Sequence, residues 1–500
     1  MDPMSHPAST AEVVPAPEAA RSRVQAPSRA LALTRVSSLA WTVGIFVVAS
    51  LLAFGRLPVS ARETVWAEDG VYFLADSDRE GVWATLLKPY MGYLHFLPRL
   101  IVISTSEFAE LSQFAVIVSL VCCLAVGALA ALVFYCSSAV TTWWPARVAI
   151  ASITVLVPTA PIEVLGNAAN LHWYLLWASV WLLLYVPKTW WGSIGLGLLG
   201  ASFALTEILV ALLAPLVFYR FRAARAWPVR IGYGLGLIGQ AIATLGFPRQ
   251  PSTDPPDAET TLHGYLIQGV STAFIPFDSA LGDLLADTGV WVGALLFIPF
   301  ALSWIYLLWR GRNVTRVAAL TLLAVSAGVF ALAFHGVVMS DYWDYPEYSD
   351  QQFDTIAIQR YSVIASMCLL ALPMLAIATA RERWMSRARA STNAPVAPDD
   401  AVAPRTRLRR TLSLAGRGIV ALLPFALVGV MLVGFTPEGT RRDGHPAWAG
   451  TVEQARASCL LPDSPGWGSM EVAPGGAWDT ILSCKTLLGG AASPSGAGDE

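Results

Sequence analysis

The sequence predicts an all-α integral membrane protein with about 11 transmembrane helices, its N-terminus inside and its C-terminus outside. Three observations predict it. The 500 residues are 55% hydrophobic and only 14% charged, where soluble domains carry about 25% charged residues. Apolar runs approaching the ~20 residues needed to cross ~30 Å of hydrocarbon recur along most of the chain. The charges are also sorted by sign: one topology puts 22 of the 33 Lys and Arg on the inner side and 29 of the 35 Asp and Glu on the outer side.

Residues 1–35, rich in Pro, Ala and Ser, predict a disordered cytoplasmic tail. They are too long and too polar for a signal-peptide n-region, so the first span, 39–57, is an uncleaved anchor. Further spans fall at 112–137, 146–163, 171–187, 192–206, 208–221, 229–247, 288–309, 317–338, 359–380 and 418–436. The stretch 190–221 admits one long helix or a hairpin of two short legs. The hairpin places Arg220, Arg222, Arg225 and Arg230, then Arg310, Arg312 and Arg316, on the inner side with the nine arginines of 381–417. The positive-inside rule therefore selects it. Residues 381–417 read as a flexible linker on anionic lipid. There is no internal repeat of the kind two-fold transporter folds carry.

Residues 36–436 thus form a polytopic domain whose first outer loop is 58–111, and 437–500 a small extracytoplasmic domain. Cys122, Cys123, Cys136 and Cys368 lie in spans as small apolar residues. Cys459 and Cys484 lie outside, where a disulfide persists and would staple a piece too small for a large core. Lys88, Lys188 and Lys485 are the only lysines; this Arg bias, with abundant Ala and Gly, fits a high-GC bacterial genome.

The polar chemistry gathers on the outer side. Glu68 and Asp69 follow Trp66 directly after the first span, and Gly70 permits a turn that would aim the two acids differently. A carboxylate there can take a proton from a hydroxyl, with Tyr72 as a stacking wall. The same residues also fit a solvated acidic loop anchored by an interfacial Trp. Lys88, Tyr93, His95 and Arg99 cluster before the second span, where cations and donors can hold a phosphate or snorkel. Asn167, Asn170, His172 and Trp173 join two spans after Pro158 and Pro161; they can bind a sugar, or Asn170 can simply cap the next helix. Glu207 tops a hairpin whose legs of about fourteen residues rise only ~21 Å, and an ionisable group at membrane depth is a functional candidate. Glu107, Glu110, Asp283 and Asp287 read as helix-start acids. Asp341, Asp344, Glu347, Asp350 and Asp354 interleave with aromatics in a loop that could hold carbohydrate or a cation. Arg360 and Tyr361 open a late span, where an Arg opposes the helix dipole and so needs a partner. No phosphate-binding Gly-rich motif is present.

With Glu68-Asp69 in a large first outer loop, Gly92-Tyr93-Leu94-His95 with Pro98-Arg99 before the second span, and Arg360-Tyr361 at a late span, the chain resembles the GT-C superfamily of polytopic membrane glycosyltransferases. That resemblance implies a polyprenyl-phosphate-linked sugar donor, a cell-envelope glycan acceptor, and inverting transfer with Asp69 or Glu68 as base. On this reading Arg99, Arg360 and His95 would hold the donor phosphate, with Glu207 and the Asn167–Trp173 loop shaping the pocket. It places the chain in the bacterial plasma membrane among membrane lipids, with the active site facing outside. No cofactor is required, a divalent cation stays open, and no nucleic-acid partner is expected. The rival readings are a transporter or lipid flippase, which would place working charges near the bilayer midplane, and a non-catalytic scaffold.

Overall fold

A computed structural model describes residues 26–249, 255–336, 344–392, 422–476 and 478–489. The chain divides into two compact units, Met1–Gly44 and Ile45–Glu500. The described part of the first is helical. Helix α1 (Ala26–Arg56) begins inside the tail expected to be disordered, because Leu, Ala and Arg between 26 and 35 are good helix formers that run straight into the apolar span.

Among the described residues six helices are long and apolar enough to cross a membrane: Leu39–Arg56, Leu111–Ala139, Trp144–Glu163, Val292–Arg310, Asn313–His335 and Tyr361–Arg387. The protein is a multi-pass α-helical membrane protein. Its regular elements after α1 include α2 (Phe96–Phe108), α3 (Phe114–Cys136), α4 (Trp144–Leu156), α5 (Leu171–Leu184), α6 (Trp190–Ala204) and α7 (Trp227–Gly246). Then come α8 (Val292–Arg310), α9 (Asn313–His335), α10 (Tyr361–Thr392) and α11 (Trp448–Cys459). Five of the other expected spans are shorter or less apolar. Leu171–Leu184, Ile208–Val217 and Leu422–Gly434 are short apolar helices, α6 has 15 residues, and α7 is diluted by glycine.

The expected hairpin is present as α6 followed by the 3₁₀ helix Ile208–Val217, with Glu207 at the turn. At ~1.5 and ~2.0 Å per residue the two legs each rise only ~20 Å. Glycines let α6 lie against α7: a Cβ at Gly197 would sit 2.6 Å from the Pro228 carbonyl oxygen, and one at Gly236 2.6 Å from that of Ala201. Small residues serve membrane helices in this way, by close backbone approach.

Between α4 and α5 the chain is irregular, because Pro158 and Pro161 remove helical donors. Irregular backbone inside such a protein needs internal partners. Arg56 donates to the carbonyls of Val155, Val157 (3.2 Å), Pro158 (3.2 Å) and Gly434 (2.7 Å). Arg442 donates to those of Ala61, Leu165 (3.1 Å) and Gly166 (3.3 Å). These two buried arginines, with 2% exposure each, fasten the turn that carries the site.

The C-terminal segment shares a core with the loop that follows the first span instead of building its own. Trp448, Val452 and Leu482 pack with Val65, Trp66 and Phe73. Strands β1 (Trp467–Glu471) and β2 (Asp479–Ser483) pair antiparallel, Trp467 opposite Ser483. Ala67 and Ala473 are bridged by a 2.7 Å backbone hydrogen bond, and Asp78 accepts from the Ser483 amide at 2.7 Å. Cys459 and Cys484 form a disulfide; Cys122, Cys123, Cys136 and Cys368 are free and buried.

Several local expectations change. Glu107 lies at the end of α2, not at a helix start, because the amphipathic α2 fills part of what reads as loop; Glu110 does precede the helical turn leading into α3. Asp283 and Asp287 sit inside the separate helix Asp278–Thr288, one turn short of α8. Helix α10 continues to Thr392, past the expected end at 380, so the linker's first residues are helical. Residues 393–417 lie outside the described residues.

Candidate functional site

A cavity of about 460 Å³ gathers its polar residues from five parts of the chain. The first loop contributes Glu68, Tyr93 and His95, and the start of α5 contributes Asn170, His172 and Trp173. Glu207 comes from the hairpin turn, Arg360 and Tyr361 from the head of α10, and Arg249 follows α7. Nine residues singled out from the sequence therefore meet at one place.

The adjacent acids divide. Glu68 faces the cavity, with Oε1 3.9 Å from Arg360 Nη1 and Oε2 buried without a hydrogen-bond partner. Asp69 begins a π-helical turn, Asp69–Leu74, and points the other way. It is 1% exposed, and its two oxygens accept from the Ala168 and Ala169 amides at 2.9 and 2.8 Å. Burial pushes its carboxyl up to about 7, against the pull of those two amides. Asp69 is thus a clamp that holds the α4–α5 turn, and it lies outside the cavity lining. Gly70 is helical; its role is close approach, since a Cβ there would collide with Thr480 and lie 3.1 Å from Val472.

Four other expected ligand residues also point elsewhere. Arg99 is 1% exposed, donates to Asp76 at 3.1 Å and lies 4.9 Å over the Phe73 ring. Lys88 is held by Asp76 at 2.8 Å and Glu80 at 2.6 Å. Burying Asp76 required cations to balance it, and these serve. Tyr72 packs on Tyr90, ring centres 4.2 Å apart, and edge-on to Trp478. Asn167 donates to the Glu163 carbonyl at 2.7 Å and accepts from the Asn170 amide at 2.9 Å, fixing the turn.

Asn170 stands at the N-cap of α5 yet makes no side-chain cap bond. Its Nδ2 and the Trp173 Nε1 are buried donors without partners, and both residues line the cavity. His172 Nδ1 is hydrogen-bonded to Glu207 Oε2, and Glu207 Oε1 accepts from the Leu209 amide at 2.7 Å. Glu207 therefore both caps the second leg and orients the imidazole. His95 lies among Phe73, Tyr90 and Tyr93. Burial, then the neighbouring His172 and Arg99, hold its imidazole well below the ordinary value, so it stays neutral.

Arg360 has the partner that its place at a helix start demanded. Its Nη1 lies 3.2 Å from Glu163 Oε1, and its own amide donates to Glu163 Oε2 at 3.2 Å. Sequence reasoning passed over Glu163; an acid closing an apolar span beside Pro161 was the available signal. It also passed over Arg249, whose signal was a lone cation just past α7. Among the described residues Arg249 is the cavity cation with no carboxylate partner. Over the cavity, Tyr90 and Tyr93 pair across a tight turn whose central residues have φ of 49° (Met91) and 85° (Gly92). Such primed turns need positive φ, and a Cβ on Gly92 would lie 2.9 Å from the Arg249 backbone.

Among the described residues the acidic aromatic loop does not line this cavity. Asp341, Tyr342 and Trp343 lie outside the described residues; Asp344 accepts from Thr260 at 3.4 Å, and Tyr345 is buried against Phe334 and Tyr348. Among the described residues no cluster of three or more His, Cys, Asp or Glu is arranged to hold a metal ion. No protein-family model, curated protein or solved structure matches the chain.

Proposed function

We propose that the protein is a membrane glycosyltransferase that moves a sugar from a polyprenyl-phosphate donor to a cell-envelope glycan or lipid acceptor. The reading includes about 11 crossings, an inside N-terminus, and a cavity facing outside the bacterial plasma membrane. The observation that carries it is the cavity's unfilled polar set: Glu68 Oε2 as acceptor, with Asn170 Nδ2 and Trp173 Nε1 as donors, all buried and unpartnered. Buried polar groups ordinarily find partners. One acceptor and two donors beside aromatic walls suit the hydroxyls and faces of a sugar ring.

In the proposed reaction the acceptor hydroxyl oxygen attacks the anomeric carbon, and its proton passes to Glu68. The bond from that carbon to the donor phosphate breaks, and the electron pair leaves with the phosphate oxygen. Arg249, not Arg99, meets the charge that develops there, since Arg99 is already bound to Asp76 and Arg360 is shared by two carboxylates. Glu207 holds the His172 imidazole at the cavity wall, beside the place proposed for the leaving phosphate.

The test is a transfer assay on the purified full-length protein in lipid nanodiscs, with a panel of radiolabelled polyprenyl-phosphate sugars and isolated envelope glycan. Label moving into glycan or lipid acceptor supports the reading. No transfer from any donor, with labelled lipid instead crossing between leaflets in reconstituted vesicles, replaces it with the flippase reading.

A further inference from the structure

A second cavity, of about 440 Å³, lies at the other end of the same elements. Helix α5 leads from the first cavity at His172 to the second at Tyr185 and Lys188. The 3₁₀ leg likewise leads from Glu207 to Arg220. Fourteen helical residues separate the two by roughly 21 Å along α5.

The lining of this second cavity is cationic. Arg147, Lys188 and Arg220 face it, with Ser138, Thr142 and Tyr185 as polar company and no acidic residue. Among the described residues none of the three cations is paired with a carboxylate. Glu382, which binds the neighbouring Thr141, is directed to Arg312. Arg147 is fixed in place: its Nε and Nη2 donate to the Phe134 carbonyl at 3.0 and 2.8 Å, and its guanidinium lies 4.0 Å over the Phe134 ring. Arg220 has φ of 53°, a left-handed conformation that is uncommon for a non-glycine residue and concentrates at functional sites.

Exposed aromatics adjoin the lining residues along the chain. Trp190 and Trp191 follow Lys188 at 54% and 85% exposure, and Phe218 and Phe221 flank Arg220 at 73% and 56%. Rings of this kind mark the level where lipid headgroups meet acyl chains. Three cations line one cavity there with no counter-ion among the described residues, a charge pattern that suits a phosphate.

We infer that Arg147, Lys188 and Arg220 form a binding site for a phosphate-bearing anion, supplied by a lipid headgroup or by a free phosphate. The site is independent of the chemistry proposed for the first cavity. Basic pockets between membrane helices bind anionic headgroups by the same physics.

The test is native mass spectrometry of the full-length protein with phosphatidylglycerol or phosphatidylcholine added, with and without millimolar inorganic phosphate. The wild type is expected to retain one more phosphatidylglycerol than phosphatidylcholine. Lys188→Glu with Arg220→Glu should weaken that retention by at least about tenfold. This pair leaves the Arg147–Phe134 contacts intact, and an unchanged Tm would verify folding. Loss of retention in the variant, with no competition by inorganic phosphate, identifies a lipid headgroup. Competition by inorganic phosphate identifies a free-phosphate site. Equal retention of phosphatidylglycerol by wild type and variant overturns the inference.

Discussion

At the residue scale the adjacent acids Glu68 and Asp69 do different work, and sequence could not separate them. Both are acidic, both follow Trp66, and which one faces a cavity depends on a π-helical turn that no local pattern announces. The sequence did mark His172, Trp173, Glu207, Arg360 and Tyr361, because polar groups inside apolar runs are conspicuous. It could not show that Arg99 and Lys88 serve a buried Asp76, since that pairing joins segments only through the fold. Asp69 has a measurable signature. Its folded carboxyl titrates at about 7 against an ordinary 3.8, so folding favours its protonated form. The associated stability is fully present below about pH 4 and is lost as pH rises to about 7, on the order of 4 kcal/mol. Thermal unfolding from pH 4 to 8 should show this slope, and Asp69→Asn should flatten it. His172→Gln and Glu207→Gln should each lower turnover, by about 10²-fold for the former. The transfer assay with the labelled donor reads both losses.

At the element scale the hairpin at 190–221 was legible, because the positive-inside expectation for Arg220, Arg222, Arg225 and Arg230 favours two short legs over one long helix. Helix ends were less so. Helices α1 and α10 extend into segments whose Pro, Ser and Arg content reads as loose, because composition averages over good helix formers. Helix α2 was hidden inside a loop read as polar. The α6–α7 contact rests on glycine: Gly232 faces Gly197 so closely that any side chain would strike its carbonyl. Gly232→Leu should therefore separate the helices and lower Tm sharply, while the exposed Leu235→Ala on the same helix should change it little. The disulfide closes a loop with a sequence separation of 25. Cys459→Ser with Cys484→Ser should cost about 3 kcal/mol, read as a fall in Tm under non-reducing conditions.

At the scale of the whole molecule, composition alone was enough to indicate a helical membrane protein. Among the described residues six of the expected spans are helices long and apolar enough to cross a membrane; the others are shorter or less apolar. The C-terminal segment was legible as a disulfide-bonded piece. Its fusion with the first loop was not, because Trp448, Leu482 and Ala473 meet Val65, Trp66 and Phe73 only across hundreds of residues of sequence. That fusion matters to the site. Arg442 and Asp69 reach the α4–α5 turn from opposite ends of the chain, and the turn presents Asn170, His172 and Trp173 to the cavity.

The central claim is that Glu68, and not its neighbour, performs the chemistry in the cavity. The direct measurement is sugar transfer by Glu68→Gln and Asp69→Asn, both verified as folded, beside the wild type. The account predicts a loss of at least about 10²-fold in kcat for Glu68→Gln, with Asp69→Asn keeping most of its turnover and losing stability instead. Full activity in Glu68→Gln, or loss confined to Asp69→Asn, would contradict it.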